Sequence, residues 1–137
     1  MSAPDLETMK SSVRRFLDAM AANDVAALRA LLADDATWWV PPSAAAVVAR
    51  PLVGVDQVAQ LAGGAITRAF RPGTTTWRIE HMTAEDDRVA ILMHRRSVTA
   101  SGNPYENQYH WLFRFVGDRI AEVWEILDTA LARDALA

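Results

Sequence analysis

The stretch 105-YENQYHWLFRFVGDRIAEVWEILD-128 decides the fold. It contains two β-prone runs, Tyr105 to Val116 and Arg119 to Asp128, with Gly117-Asp118 between them. Such a glycine-containing pair is typical of a tight two-residue hairpin turn, because glycine readily adopts the positive φ angles that these turns require. The stretch therefore predicts an antiparallel hairpin.

A two-residue turn at Gly117-Asp118 determines which side chains of the two strands share a face. It places Trp111 opposite Trp124. One face is then mostly aromatic and aliphatic with a few polar groups, which is the expected lining of a small-molecule pocket. Its members are Asn107, Tyr109, Trp111, Phe113, Trp124, Ile126 and Asp128.

The turn before this hairpin controls which residues of the preceding strand join that face. Centring the turn on Gly102-Asn103 brings in His94 and Arg96. A three-residue loop would bring in Met93 and Arg95 instead, because a shift of one residue inverts every side chain of a strand. We adopt the first register for the predicted site.

The first half of the chain has helical periodicity. Apolar residues recur at helical spacing from Leu6 to Met20, and again after a capping residue, from Asp24 to Leu32. A third helix is predicted from about Val55 to Phe70, where two adjacent glycines lower the helix propensity. A short strand is predicted over Thr37 to Val40 and a loop over Ser43 to Val53.

Two more β-prone runs, Thr74 to Thr83 and Arg88 to Ala100, precede the hairpin. Helices first and an antiparallel meander second is typical of an α+β fold with segregated elements. We therefore predict a cone-shaped curved antiparallel sheet packed with three N-terminal helices that enclose a pocket. The length of 137 residues suits one domain covering residues 1–137.

The composition argues against several classes of partner. The net charge is −3 with scattered basic residues, so neither nucleic acid nor an anionic membrane is expected. The chain has no cysteine, and its histidines belong to no spaced ligand cluster, so no metal or other cofactor is expected. No apolar run approaches the roughly 20 residues of a membrane span, and we expect a soluble cytoplasmic protein.

Five segments of the chain together carry a family resemblance. They are Ala33 to Thr37, Pro51 to Val55, Tyr105-x-Asn107-x-Tyr109 followed by Leu112 to Phe115, Gly117 to Ile120, and Glu125 to Thr129. In this order they resemble the SnoaL-like polyketide cyclases, within the wider superfamily of ketosteroid isomerase, limonene-epoxide hydrolase, scytalone dehydratase and the nuclear-transport-factor proteins. The resemblance implies a bent sheet closed by helices into a cone, and often a dimer through the outer sheet face.

The resemblance also implies that most known catalytic groups of the superfamily are absent. The tyrosine, the general-base aspartate and the oxyanion-hole aspartate of ketosteroid isomerase fall on Phe16, Val40 and Trp111. The catalytic aspartate in the last strand of SnoaL-like cyclases and limonene-epoxide hydrolases falls on Asp128. The other epoxide hydrolase residues fall on Trp38, Val40, Leu92 and His94.

We therefore predict a cofactor-independent lyase, isomerase or cyclase that acts on a cyclic apolar molecule. Asp128 would move a proton with His94 as its partner, and Tyr109 or Asn107 would polarise a substrate oxygen. The rest of the predicted substrate pocket consists of Arg96, Trp111, Trp124, Trp38, Phe16 and Val40. Two alternatives remain: Asp128 as a strand-end carboxylate bonded to nearby backbone, and a non-catalytic module that binds an apolar molecule or a partner protein.

The other face of the hairpin predicts a homodimer. In the two-residue-turn register it carries Leu112, Val123 and Leu127 beside His110 and Glu125. These apolar residues would be exposed in a monomer, and a second copy of the chain would cover them.

Overall fold

A computed structural model describes the backbone of residues 4–44 and 51–136, and the side chains there except those of residues 65–67. Of the loop predicted over residues 43–53, residues 45–50 therefore lie outside the described residues. The flanking residues are not all loop, because Pro42–Ala44 forms a 3-10 turn and Leu52–Val53 forms a short strand.

The two predicted N-terminal helices are confirmed. Helix α1 covers Leu6–Ala21 and α2 covers Val25–Leu31. As predicted, Asp24 caps α2: its carboxylate accepts a hydrogen bond of 3.0 Å from the backbone N–H of Ala27. Because an unpaired N–H at a helix start needs such an acceptor, the cap fixes where α2 begins.

The third predicted helix is present but irregular. It consists of α3 (Val55–Gln60), a π-helical turn (Leu61–Ala65) and α4 (Ile66–Ala69). A Cβ atom on Gly63 would lie 2.8 Å from Cδ1 of Leu28, so glycine at this position lets α2 pack closely against the turn. A further helix, α5 (Thr129–Leu136), follows the last strand and was not predicted.

The sheet is curved and has six strands in the order β2-β1-β6-β5-β4-β3. The strands are β1 (Leu32–Trp39), β2 (Leu52–Val53), β3 (Thr76–Glu85), β4 (Arg88–Val98), β5 (Pro104–Val116) and β6 (Arg119–Leu127). Neighbouring strands are antiparallel except β1 and β6, which are parallel. The predicted α+β class with a curved, mainly antiparallel sheet is thus confirmed.

A β-bulge in β6 overturns the predicted pairing of the hairpin. Next to the turn, Phe115 pairs with Ile120 as predicted, but farther along Arg114 pairs with Glu122. Ala121 is the extra residue of the bulge, and it inverts the rest of β6. Trp111 therefore faces Glu125 rather than Trp124. The predicted positions of Trp124 and Ile126 in the pocket wall are wrong, since both are exposed on the outer face.

The register between β4 and β5 also differs from the one we adopted. Arg95 pairs with Asn107 and Met93 with Tyr109, so the alternative inward pair is the one observed. The strands are joined by a longer loop, closed by a hydrogen bond of 2.8 Å from Thr99 N to Asn103 O. His94 and Arg96 consequently lie on the outer face, and their predicted position in the pocket is wrong.

The inner face of the sheet packs against α1 through aromatic contacts. The ring of Phe16 on α1 lies 5.5 Å from that of Phe113, edge to face, and 6.2 Å from that of Trp38. Within the sheet, Trp38 lies 5.1 Å from Trp111, also edge to face. Such contacts between fully buried rings supply much of the apolar burial in a small domain.

No helix in the described part of the chain is long and apolar enough to cross a membrane.

The bulge also changes the predicted dimer surface. Of the residues predicted there, Val123, Glu125 and Leu127 face the interior, and Leu127 lines its cavity. The apolar part of the outer face is formed by Leu112, Trp124 and Ile126 instead. We still expect a homodimer through this outer face, because Trp124 and Ile126 are 41% and 51% exposed.

Light scattering at micromolar concentration should give twice the monomer mass of 15.1 kDa for the wild type. Trp124→Glu should give the monomer mass, because a charge would then be buried against the second copy. The matched control is Leu131→Glu, since Leu131 is 38% exposed on α5. A monomeric wild type would contradict the dimer.

Candidate functional site

Glu125 is the acidic residue that the bulge directs into the interior. It is 6% exposed, and its Oε1 accepts a hydrogen bond of 3.2 Å from the indole N–H of Trp38. Burial raises the pKa of Glu125 from 4.5 to about 7, although the bond from Trp38, the charge of Arg95 and the indole of Trp111 each act to lower it. A carboxyl in this range exists in both protonation states near neutral pH, which suits acid/base chemistry.

Arg95 enters the same interior from β4 and is 5% exposed. Its Nε donates to Ser97 Oγ (2.9 Å) and its Nη2 to Thr75 Oγ1 (3.1 Å). The guanidinium lies over the ring of Phe70, 4.0 Å from its centroid, and 5.0 Å from that of Trp77. Hydroxyl groups and aromatic faces therefore hold this buried cation in place.

A chain of hydrogen bonds along β5 ends at Tyr109. The side-chain amide of Asn107 donates to the Tyr105 hydroxyl (2.8 Å), and the hydroxyls of Tyr105 and Tyr109 are 2.8 Å apart. Burial raises the pKa of Tyr109 well above its usual value of 10.0. Tyr109 therefore remains protonated and can act as a hydrogen-bond donor.

These groups meet at a cavity of about 40 Å³ at the end of the sheet that α5 covers. Its lining residues are Ala44, Phe70, Arg95, Tyr105, Tyr109, Glu125, Leu127, Thr129, Ala132 and Leu136. The volume has room for a few water molecules, so a larger ligand requires lining residues to move apart.

A larger groove of about 550 Å³ is open to solvent on the outside of β1 and β6. It is lined by residues such as Asp34, Asp35, Arg114 and Glu122. Arg114 and Glu122 already form an ion pair, with 3.1 Å between Nε and Oε2. The smaller cavity is the better candidate site because its acid, cation and hydroxyl groups are buried together.

The two predicted catalytic residues do not reach this cavity. Asp128 is exposed, and its Oδ1 accepts a hydrogen bond of 3.1 Å from the backbone N–H of Leu131 at the start of α5. This is the alternative structural role that the sequence left open. His94 lies on the outer face with its Nε2 3.3 Å from Glu106, and Arg96 pairs with the same carboxylate at 3.1 Å. The predicted position of Asp128 in the pocket is therefore wrong.

The remaining predicted substrate-binding residues are mostly interior. Tyr109 lines the cavity, and Asn107 is buried behind it. The others, apart from exposed Trp124, are core residues that do not line the cavity: Phe16, Trp38, Val40 and Trp111. Trp38 still contacts the site through its bond to Glu125. A substrate contact by any of these residues stays a prediction.

Glu125 and Arg95 are the functional candidates that the sequence reasoning missed. Arg95 was part of the alternative register with a longer loop. The sequence does contain a signal for the bulge that turns Glu125 inward. Ile120 and Ala121 are adjacent apolar residues, whereas regular alternation in a strand would place only one of them inward. Among the described residues, no group of three or more His, Asp or Glu side chains could hold a metal ion.

A family model for the SnoaL-like domain matches residues 13–123. No curated protein matches the sequence significantly. Solved structures resemble the fold closely, at sequence identities that support a shared fold and nothing finer.

Three of these structures illustrate the range of proteins that share this fold. An NTF2-like protein of unknown function from Burkholderia pseudomallei K96243 has a TM-score of 0.83 at 18% identity, covering 95% of this chain and 98% of its own. A protein assigned as a SnoaL-like polyketide cyclase from Jannaschia sp. CCS1 has a TM-score of 0.80 at 16% identity, covering 99% and 96%. An LEH-like epoxide hydrolase from M. tuberculosis has a TM-score of 0.73 at 17% identity, covering 97% and 92%.

The buried carboxyl should make stability depend on pH. In the unfolded chain Glu125 ionises near its ordinary pKa of 4.5, whereas in the folded protein its pKa is about 7. Between these values the folded state holds a proton that the unfolded state has lost. The free energy of unfolding should therefore fall by about 3 kcal/mol as the pH rises through this window, and level off above it.

Urea unfolding of the wild type and Glu125→Gln between about pH 4 and 8.5 would measure this. The difference between the two proteins should change by about 3 kcal/mol across the window, because glutamine has no proton to lose. Glu85→Gln, which removes an exposed carboxylate at the end of β3, is the control and should change the profile far less than Glu125→Gln does. Parallel profiles of the wild type and Glu125→Gln would contradict the raised pKa.

Proposed function

Because this chain belongs to the SnoaL-like domain family, we propose that it is a cofactor-independent enzyme of the lyase, isomerase or cyclase type. Its substrate would be a small, cyclic and mostly apolar molecule bound in the cone. Glu125 is the proposed acid/base group. The observation that carries this proposal is the meeting of Glu125, Arg95 and Tyr109 at one buried cavity.

Glu125 suits proton transfer because its pKa of about 7 gives both protonation states useful populations at neutral pH. As a carboxylate it can remove a proton from carbon next to a substrate carbonyl. As a carboxylic acid it can return that proton to another atom. The bond from Trp38 Nε1 holds Oε1 of the carboxyl, and Glu125 lines the cavity in which the substrate would bind.

The negative charge that develops on the substrate oxygen in this step needs stabilisation. Tyr109 and Arg95 line the same cavity as Glu125, and a hydroxyl donor and a guanidinium are both suited to an oxyanion. Asn107 acts indirectly, because its amide is bonded to the Tyr105 hydroxyl and to the backbone oxygen of Asp128 (3.0 Å). We therefore assign Asn107 as a positioning residue for the two tyrosines.

Exchange of α-protons for deuterium tests the proposal without knowledge of the natural substrate. Cyclopentanone, cyclohexanone and 2-indanone in D₂O can be followed by proton NMR with catalytic amounts of protein. The wild type should accelerate exchange for at least one ketone, and Glu125→Gln should slow that reaction by about 10²- to 10⁴-fold. The wild-type rate should rise as the pH passes about 7, since the carboxylate is the base.

The controls are His94→Gln and Glu106→Gln, which alter ionisable groups on the outer face, and Asp128→Asn, which alters the cap of α5. All three should exchange protons at the wild-type rate. Equal exchange by the wild type and Glu125→Gln would contradict the proposed function. In that case, ligand binding that persisted in both proteins would leave the alternative of a non-catalytic binding module.

A further inference from the structure

Two indole N–H donors in the interior of the cone lack a full hydrogen bond among the described residues. Trp77 Nε1 is buried and has no hydrogen-bond partner among the described residues, whereas Trp111 Nε1 lies near Glu125, whose pKa its indole lowers, without reaching full hydrogen-bond geometry. Their rings are 5.5 Å apart, and the ring of Trp77 is also 5.5 Å from that of Tyr109, so both belong to the cluster around the cavity. Buried polar groups without partners are rare and costly, so each requires a physical reason.

The buried cation forms no direct ion pair in the described part of the chain, and Glu125, the carboxyl that shares its cavity, is protonated in a large fraction of molecules near neutral pH. No described carboxylate oxygen lies within 4.0 Å of the Arg95 nitrogens. The two bonds to Ser97 and Thr75 use fewer N–H groups than a guanidinium carries. A buried charge that is not paired is unfavourable, and a ligand that supplies the opposite charge removes that cost.

Tyr109 can supply a donor next to this cation. Because Asn107 donates to the Tyr105 hydroxyl, Tyr105 can in turn donate its proton to Tyr109. The proton of Tyr109 is then free to point at a ligand in the cavity that both Tyr109 and Arg95 line. A hydroxyl and a guanidinium that face one small space match the two oxygens of a carboxylate.

From these observations we propose that the cavity binds a small organic acid as its carboxylate, held by Arg95 and Tyr109. This inference names the substrate class of the same site and therefore rests on the proposed function of that site. The carboxylate supplies an acceptor for the Tyr109 hydroxyl and a negative charge for Arg95, which has no ion-pair partner within 4.0 Å among the described residues.

Binding of the anion changes the proton balance of Glu125. Two ionisable groups act on its carboxyl, Arg95 from β4 and Tyr109 from β5, while Trp38 from β1 and Trp111 from β5 are neutral donors. Tyr105 lines the same cavity. A bound carboxylate adds a second negative charge, which favours the protonated form of Glu125. Binding is therefore coupled to uptake of one proton when the pH is above about 7.

Matched acids and amides test the proposal. Acetate and benzoate are titrated against acetamide and benzamide, with dissociation constants from ¹H–¹⁵N NMR at about pH 6.5 and constant ionic strength. Each acid should bind the wild type at least about tenfold more tightly than its amide, because charge-assisted hydrogen bonds are the stronger ones. Equal affinities for acid and amide would overturn the proposal.

Arg95→Gln should remove the preference for the acid. The matched control is Arg96→Gln, the neighbouring arginine on the exposed outer face, which should keep the preference. A preference that survived in Arg95→Gln would overturn the assignment of Arg95. If Arg95→Gln does not fold, Tyr109→Phe provides the second variant, and it should weaken binding of the acid severalfold while leaving the amide less affected.

The pH dependence of benzoate binding is a second test of the proposal. The dissociation constant of benzoate should rise by up to about tenfold per pH unit above about pH 7, and in Glu125→Gln it should be nearly constant.

The experiments distinguish failure of the proposed function from failure of the carboxylate site. A preference for the acid combined with undiminished proton exchange in Glu125→Gln would support the carboxylate site and refute the catalytic role. Loss of exchange without any preference for the acid would refute only the carboxylate site.

Discussion

One extra residue in β6 determines what the interior of this protein contains. Without the bulge at Ala121, strand alternation would place Trp124 inside and Glu125 outside. With it, the cone receives a carboxyl group and the outer face receives an indole, which stacks on Trp39 with 5.0 Å between centroids. An ionisable group inside and an apolar surface outside are therefore two results of the same change in register.

The buried polar groups Glu125 and Arg95 suit a role in chemistry better than a role in stabilising the fold. Glu125 and Arg95 are both nearly inaccessible, yet no ion pair within 4.0 Å joins them. A protein that needed only stability would do better with apolar residues of similar volume at these positions. Hydroxyl groups and aromatic rings hold Arg95, and a hydrogen bond from Trp38 holds Glu125, so both groups are fixed in orientation at the cavity that they line.

The order of elements could be predicted from the sequence, because it depends on local signals. Apolar spacing indicates α1 and α2, Asp24 caps α2, and Gly117-Asp118 marks the hairpin. The face of each strand residue could not be predicted equally well, because it depends on counting residues through every turn and bulge. The loop at 99–103 and the bulge at Ala121 each shift the count, and a single miscount exchanges the inner and outer residues of a strand. The sequence does not indicate α5 clearly, because this helix has only eight residues and buries only Ala132 among those described, so it has little apolar periodicity.

The same reasoning explains why alignment to a family motif led to Asp128. Glu125 and Asp128 are three positions apart, so along a regular strand they would lie on opposite faces. Residue position in a motif carries no information about which of the two faces the cavity. Here β6 ends at Leu127, and the carboxylate of Asp128 is used to begin α5, which covers the cavity. In this chain, Glu125 brings the carboxyl group into the interior and Asp128 anchors the helix above it.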